Sequence, residues 1–225
     1  MRFKIKKGLD IPIKGQPEQL IEDGGKVTRV AAVATDVTGI QPRMAVQVGD
    51  RVRAGQALYR DKRNPDVPFT APGAGEVIEI NRGARRALQS VVIRLDGDDT
   101  EEFSSWPSDK LPGLDGQAVR DNLIASGMWT TIRTRPFSRI PKPDGEAAAI
   151  FVTAIDTSPL AVDPAFIIDQ NPEAFANGLQ VLSRLVDGPV YISTAPDSEI
   201  PIPDGDQFRH AEFEGPHPAG LVGTH

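Results

Sequence analysis

The apolar positions change rhythm along the chain. Between residues 26 and 97 they fall in short runs, each closed by Gly, Pro, Asn or Asp. Val27–Val33, Arg51–Val52, Ala57–Tyr59, Gly75–Ile80 and Ser90–Leu95 read as strands. In SVVIRL, Val91, Ile93 and Leu95 recur with period two, which puts them on one face. Val48-Gly49-Asp50 and Ala54-Gly55-Gln56 read as tight turns, with Gly supplying the positive φ. Short strands at this spacing predict a sandwich or barrel.

Beyond residue 97 helix and strand patterns alternate. Ala147–Ile155 (AAAIFVTAI) is a continuous apolar run, the pattern of a strand buried on both faces of a parallel sheet. Pro172–Asp187 is predicted to be a helix. Asn171 can cap it, Pro172 suits its first position and Glu173 complements its dipole. Phe175, Leu179, Leu182 and Val186 form its apolar face, and Gly188-Pro189 ends it. Val190–Thr194 follows as a strand, giving a βαβ unit. Asp115 can cap a second helix over Gly116–Ser126, with Leu114 and Val119 as a staple. A further strand is predicted over Gln207–Phe213, before GPHPAGLVGTH. That ending, inside a loop, predicts an unfinished domain belonging to a longer chain.

The expected fold class is mixed α/β. An extended arm spans 1–25, with FKI, LDIPI and a closing Asp23-Gly24-Gly25. A β-rich barrel-sandwich hybrid domain spans 26–97, and an incomplete Rossmann-like α/β domain spans 98–225.

Composition narrows the functions. A net charge of −6 is unsuited to wrapping nucleic acid. The absence of cysteine removes disulfides, Cys-ligated zinc and iron–sulfur clusters from this chain. No apolar run approaches the roughly 20 residues that span a bilayer. MRFKIKKGLD has lysines but no apolar core behind them, so it is not a signal peptide. His210, His217 and His225 match no metal-ligand spacing, and no Ser sits in a nucleophile elbow.

Five stretches carry candidate chemistry. In RDKRNPDVPFTAPG, Lys62 lies where lipoyl and biotinyl carriers place their lysine. It reads as off-centre, with the return strand beginning near Phe69 and Pro65 and Pro68 breaking the ladder. A solvated, unmodified lysine is expected. Asp156, Thr157 and Ser158 follow the predicted buried strand, where open α/β sheets bind ligands. The alternative is that they bond into the turn before Pro159. Arg133, Arg135, Arg139 and Lys142 surround Phe137. Their cations suit a carboxylate-bearing partner or an anionic lipid head group, and the alternative is a solvated loop with one aromatic anchor. GPHPAGLVGTH and Val33–Gly39 (VATDVTG) are weaker loop candidates, the first without the G-x-G-x-x-G order.

VGDRVRAGQALYRDKRNPDVPFTAPGAGEVIEI resembles the barrel-sandwich segment of two related families. These are the C subunit of the Rnf electron-transport complex and the A subunit of the sodium-translocating NADH:quinone oxidoreductase, Nqr. The opening KIKKGLDIPIKGQPEQ resembles the Nqr A subunit in particular. So do SGMWTTIRTRPFSRIP (Ser126–Pro141), IFVTAIDTSPLAVDP (Ile150–Pro164) and HPAGLVGTH (His217–His225). The resemblance runs in order over nearly the whole chain.

It implies a peripheral subunit on the cytoplasmic face of the bacterial inner membrane. The complex oxidises NADH, reduces ubiquinone and exports sodium ions. The implied partners are the other Nqr subunits, above all the membrane-embedded subunit on the quinone side. The implied roles are a contribution to quinone binding and docking on membrane subunits, with ubiquinone as a substrate. Arg135, Phe137, Arg139, Asp156 and Thr157 are the quinone- or partner-contact candidates. The α/β zone is also similar to the flavin- and NADH-binding subunit of complex I, which uses a Gly-rich loop after its first helix. Here Trp129, Ile132 and Arg133 put bulk in that place. No covalent cofactor, metal, FMN or NADH is therefore expected on this chain, with NADH and flavins handled by other subunits. The isolated chain is expected to be inactive. The alternatives are a purely structural docking module and an Rnf-type subunit.

Overall fold

The computed structural model describes residues 1–225, with eleven strands and three α-helices. The chain forms two compact units that alternate along the sequence. Gly24–Ser105 and Arg120–Gly145 make the β-rich unit, and Met1–Asp23, Trp106–Val119 and Glu146–His225 make the α/β unit. Chain order alone suggests divisions at 25 and 97.

The β-rich unit is built from two antiparallel sheets. In one, β2 (Arg29–Val33), β8 (Leu88–Leu95), β7 (Gly75–Arg82) and β4 (Arg51–Val52) lie in that order. The other is β3 (Pro42–Met44), β5 (Ala57–Asp61) and β6 (Asn64–Thr70). As SVVIRL predicts, Val91 and Ile93 are fully buried while Arg94 faces solvent and pairs with Glu76. They share a core with Val52, Leu58, Val77 and the stacked rings of Tyr59 and Phe69, whose centroids are 4.7 Å apart. That core pushes the Tyr59 phenol pKa up to about 12, chiefly by desolvation and secondarily through Asp36.

The Lys62 hairpin differs from expectation. The return strand starts at Asn64, not near Phe69, and Asp61 pairs with Asn64. Lys62 and Arg63 therefore form a two-residue turn at the tip. Pro65 and Pro68 lie inside β6, which tolerates them because it is the outer strand of its sheet. The tip is fastened to the loop beside it. Lys62 N–H donates to Gln41 O at 2.9 Å, and Arg63 Nη1 donates to Gly39 O at 3.0 Å.

The α/β unit holds a parallel sheet in the order β1 (Arg2–Lys4), β11 (Phe208–Glu214), β10 (Val190–Thr194), β9 (Ile150–Ala154). Part of the expected arm is thus a strand, with Phe3 opposite Phe213 and their rings stacked 5.1 Å apart. β9 is not buried on both faces. It is an edge strand whose alternate residues are exposed, and Phe151 is 45% exposed. Its apolar run reflects one buried face plus the Phe151–Tyr191 stack at 5.0 Å on the other.

α1 (Gly116–Ala125) is capped by Asp115 as expected, its carboxylate accepting the Ala118 N–H at 2.9 Å. α2 (Pro164–Asp169) is a short helix that the apolar pattern did not announce, capped by Asp163. α3 (Pro172–Ser183) starts as predicted, with Asn171 Oδ1 accepting the Ala174 N–H at 3.1 Å. Its Leu179 and Phe175 pack on Val190 and Ile192 of the sheet. It ends at Ser183, four positions before Asp187. The Gln207 side-chain amide donates to Ser183 O and Val186 O at 2.9 Å and to Gly188 O at 3.0 Å. That amide satisfies carbonyls that a further helical turn would have used.

Candidate functional site

The segment after α1 belongs to the β-rich unit. Gly127 sits at φ +79°, and a Cβ there would meet Thr70 Oγ1 at 2.7 Å, so only glycine allows this approach to β6. Trp129 is 3% exposed, and its indole N–H donates to Pro141 O at 2.9 Å. The Arg120 guanidinium lies 5.2 Å from the Trp129 ring centre and donates to Pro143 O at 2.7 Å. The bulk that distinguishes this segment from a Gly-rich loop is therefore a local core. Arg133 is spent inside it, donating to Thr130 O and Ile132 O.

This frame holds out a small hairpin. Thr134 closes it through its N–H and hydroxyl, both donating to Arg139 O, at 2.8 and 3.0 Å. Phe137 at its tip is 76% exposed, and Ser138 takes a positive φ of 50°. Arg139 lies 5.8 Å from the Phe137 ring, and Arg135, two positions before Phe137 on the same turn, is exposed. Neither arginine forms an ion pair. The structure thus gathers Arg135, Phe137 and Arg139 and separates Arg133 from them. A fixed turn bearing an exposed aromatic ring together with two unpaired arginines can fill a partner's apolar pocket and meet carboxylates at its rim.

Asp156 and Thr157 lie in the other unit, just past β9. Asp156 Oδ1 accepts the Ser158 N–H at 2.7 Å, the turn bond weighed from the sequence. The Thr157 hydroxyl lies 3.0 Å from His217 Nδ1 and accepts the Gly220 N–H at 2.9 Å. His217 in turn donates its N–H to Asp10 Oδ1 at 2.9 Å and accepts the Leu9 N–H at 2.9 Å. Thr157 therefore fastens the glycine-rich tail, which itself fastens the N-terminal arm. Beside them is an open cleft of about 390 Å³ lined by Gln16, Gln19, Ile155, Asp156, Ser158 and Asp163. Its two carboxylates and lack of a lining cation disfavour a phosphate-bearing ligand. Asp163 is already occupied as the α2 cap, and its N–H donates to Gln19 Oε1 at 3.0 Å.

The roles of Asp10, Gln19 and His217 had no signal in the sequence, because their partners lie far away in the chain. The remaining histidines also have partners distant in the chain. His210 Nε2 is 2.8 Å from Thr194 Oγ1, and His225 packs 4.2 Å from the Phe213 ring centre.

Two antiparallel sheets around one core, with a parallel α/β unit interleaved in sequence, define a barrel-sandwich hybrid protein with a second α/β domain. The profile of the NqrA N-terminal barrel-sandwich hybrid domain matches residues 3–96, and that of the NqrA second alpha/beta domain matches residues 114–225. The chain belongs to the NqrA family. It is 53% identical over 221 residues to the A subunit of the Na(+)-translocating NADH-quinone reductase of Shewanella frigidimarina, covering 98% of this chain and 49% of that protein. The corresponding protein of Pseudomonas aeruginosa is 54% identical over 223 residues, covering 99% and 50%. That of Pasteurella multocida is 50% identical over 221 residues, covering 98% and 50%. The chain spans about half the length of the curated relatives it matches. No helix is long and apolar enough to cross a membrane.

Proposed function

We propose that this chain works within a sodium-translocating NADH:quinone reductase as a peripheral docking element on the cytoplasmic face, without a redox centre of its own. The Phe137 hairpin carries this reading. A ring left 76% exposed on a tip closed by two bonds to Arg139 O gains its stabilisation only when a partner covers it. The partner that fits is a membrane-embedded component of the same complex, with an apolar pocket and a carboxylate rim. NADH and flavin chemistry then belongs to other subunits, and the Trp129 core occupies the segment where a bare backbone would meet a flavin phosphate.

Association with the membrane subunits tests this. Phe137→Ala is expected to weaken it by at least about tenfold, the effect of a buried aromatic anchor, with the melting temperature unchanged. Unchanged affinity overturns the reading.

A second reading rests on the cleft past β9, which has the position of a ligand crevice in an open α/β sheet. In it a quinone ring would lie against Ile155 while Ser158 and the Gln16 amide donate to its carbonyls. Saturable binding of a soluble quinone analogue, weakened by Ser158→Ala and unaffected by Phe137→Ala, would support it. Absence of binding would leave docking as the sole role.

A further inference from the structure

The longest hairpin of the β-rich unit ends in an unusual turn. β7 and β8 close through Gly83–Ala87, with Gly83 N–H donating to Ala87 O at 2.8 Å and Arg86 N–H to Gly83 O at 3.1 Å. Inside it Arg85 and Arg86 both have positive φ, 53° and 61°. Turns of this kind favour Gly, which has no Cβ to crowd the neighbouring carbonyl, and Asn, whose short polar side chain can bond locally. Two arginines in succession are a poor choice for the turn itself, which points to a use for their side chains.

Charge gives the second observation. The whole chain is acidic, with a net charge of −6. Yet no Asp or Glu occurs between Glu79 and Asp96, while Arg82, Arg85, Arg86 and Arg94 do. Arg94 is paired with Glu76 at 2.5 Å. The other three are exposed and form no ion pair. Arg82 Nη1 donates to Arg86 O at 3.1 Å, which draws one more guanidinium to the tip.

We propose that this tip binds anionic phospholipid head groups. Arginine forks match phosphate oxygens, and clustered cations beside an anionic leaflet gain additively. A protein partner would need an apolar anchor, and the tip offers only Gly83, Ala84 and Ala87. The contact is electrostatic and superficial, because nothing at the tip can insert into the acyl region. The inference rests on the placement of the chain in a membrane complex, but its test needs no other subunit.

The whole chain is mixed with vesicles of phosphatidylglycerol and phosphatidylethanolamine, or of phosphatidylcholine alone, and sedimented. Binding is expected only to the anionic vesicles, fading at high ionic strength. Arg82→Ser, Arg85→Asn and Arg86→Gly together should lower it about a hundredfold, at roughly fivefold per arginine. The Arg85→Asn, Arg86→Gly pair suits the positive φ values, so it should melt higher than the parent while binding about 25-fold more weakly. Arg85→Lys with Arg86→Lys should retain most binding. No binding to anionic vesicles, equal binding to neutral ones, or unchanged binding by the Asn-Gly variant would each overturn the proposal. So would a tip whose charges matter only for capturing an acidic protein. A docking failure with Phe137→Ala would leave vesicle binding intact, so the two readings fail separately.

Discussion

Thr157 and His217, sixty positions apart, meet at 3.0 Å between hydroxyl oxygen and Nδ1. The same oxygen accepts the Gly220 N–H at 2.9 Å, so one hydroxyl serves both a backbone amide and the imidazole. One side chain thus ties the loop after β9 to the tail. Thr157→Val keeps the shape and strands both partners, so it should cost about 1–3 kcal/mol. Urea unfolding gives the loss, and faster amide exchange at Gly220 locates it. Thr157→Ser should be nearly neutral. Gly220→Ala should be worse than either, since its Cβ would meet Thr157 N at 2.5 Å.

Gln207 spans three carbonyls at the end of α3 with one amide group. Gln207→Ala should destabilise by about 1–3 kcal/mol, the cost of leaving partly buried acceptors unmet. Gln207→Glu should be at least as harmful, because it aims a carboxylate at carbonyl oxygens. Thermal melts of both variants check the order.

His225 is pushed below its ordinary pKa of 6.5, first by desolvation, with an opposing effect from its bond to Ala219 O. The unfolded chain therefore takes up this proton before the folded one does. His225 should contribute full stability above 6.5, then lose it as pH falls towards the lower folded value. Denaturant midpoints measured across that range should drop towards acid. His225→Asn should flatten that slope.

Lys62 should remain unmodified when the chain is produced with a lipoyl ligase, as read by intact mass. Its hairpin has the carrier topology, but the tip is bonded to residues 39 and 41. The Asp61 carboxylate adds further ties to the Gln41 and Arg63 N–H groups, at 2.9 and 3.2 Å. A fastened tip is a poor substrate for an enzyme that must surround the lysine.

Local signals were legible wherever the deciding contacts are local. Period two in SVVIRL, Asn171 at the start of α3 and Asp115 at the start of α1 depend on neighbours within four positions. The misreadings come from distant partners. α3 stops early because Gln207 reaches its last carbonyls. β9 looked doubly buried because Phe151 finds a cross-strand ring rather than a covering layer. Pro65 and Pro68 argued against a strand, yet β6 lies at an edge, where a missing donor goes unnoticed. In the candidate site, the sequence marked Arg135, Phe137 and Arg139 and set Arg133 among the neighbouring cations without revealing what its guanidinium does. Only folded geometry shows that the latter's guanidinium is already claimed by two backbone carbonyls.

The pairing of β1 with β11 sets an order of events during synthesis. Arg2 finds its partner only when Glu212 has been made, so the opening residues emerge long before their neighbour exists. Strands β2 to β8 can meanwhile close their own two sheets. The amino terminus is thus among the last parts to settle, and its ammonium finally rests on His210 O at 3.0 Å. A purification tag fused directly ahead of Met1 would remove that charge and obstruct the closing strand, whereas a cleavable one would delay it only until release.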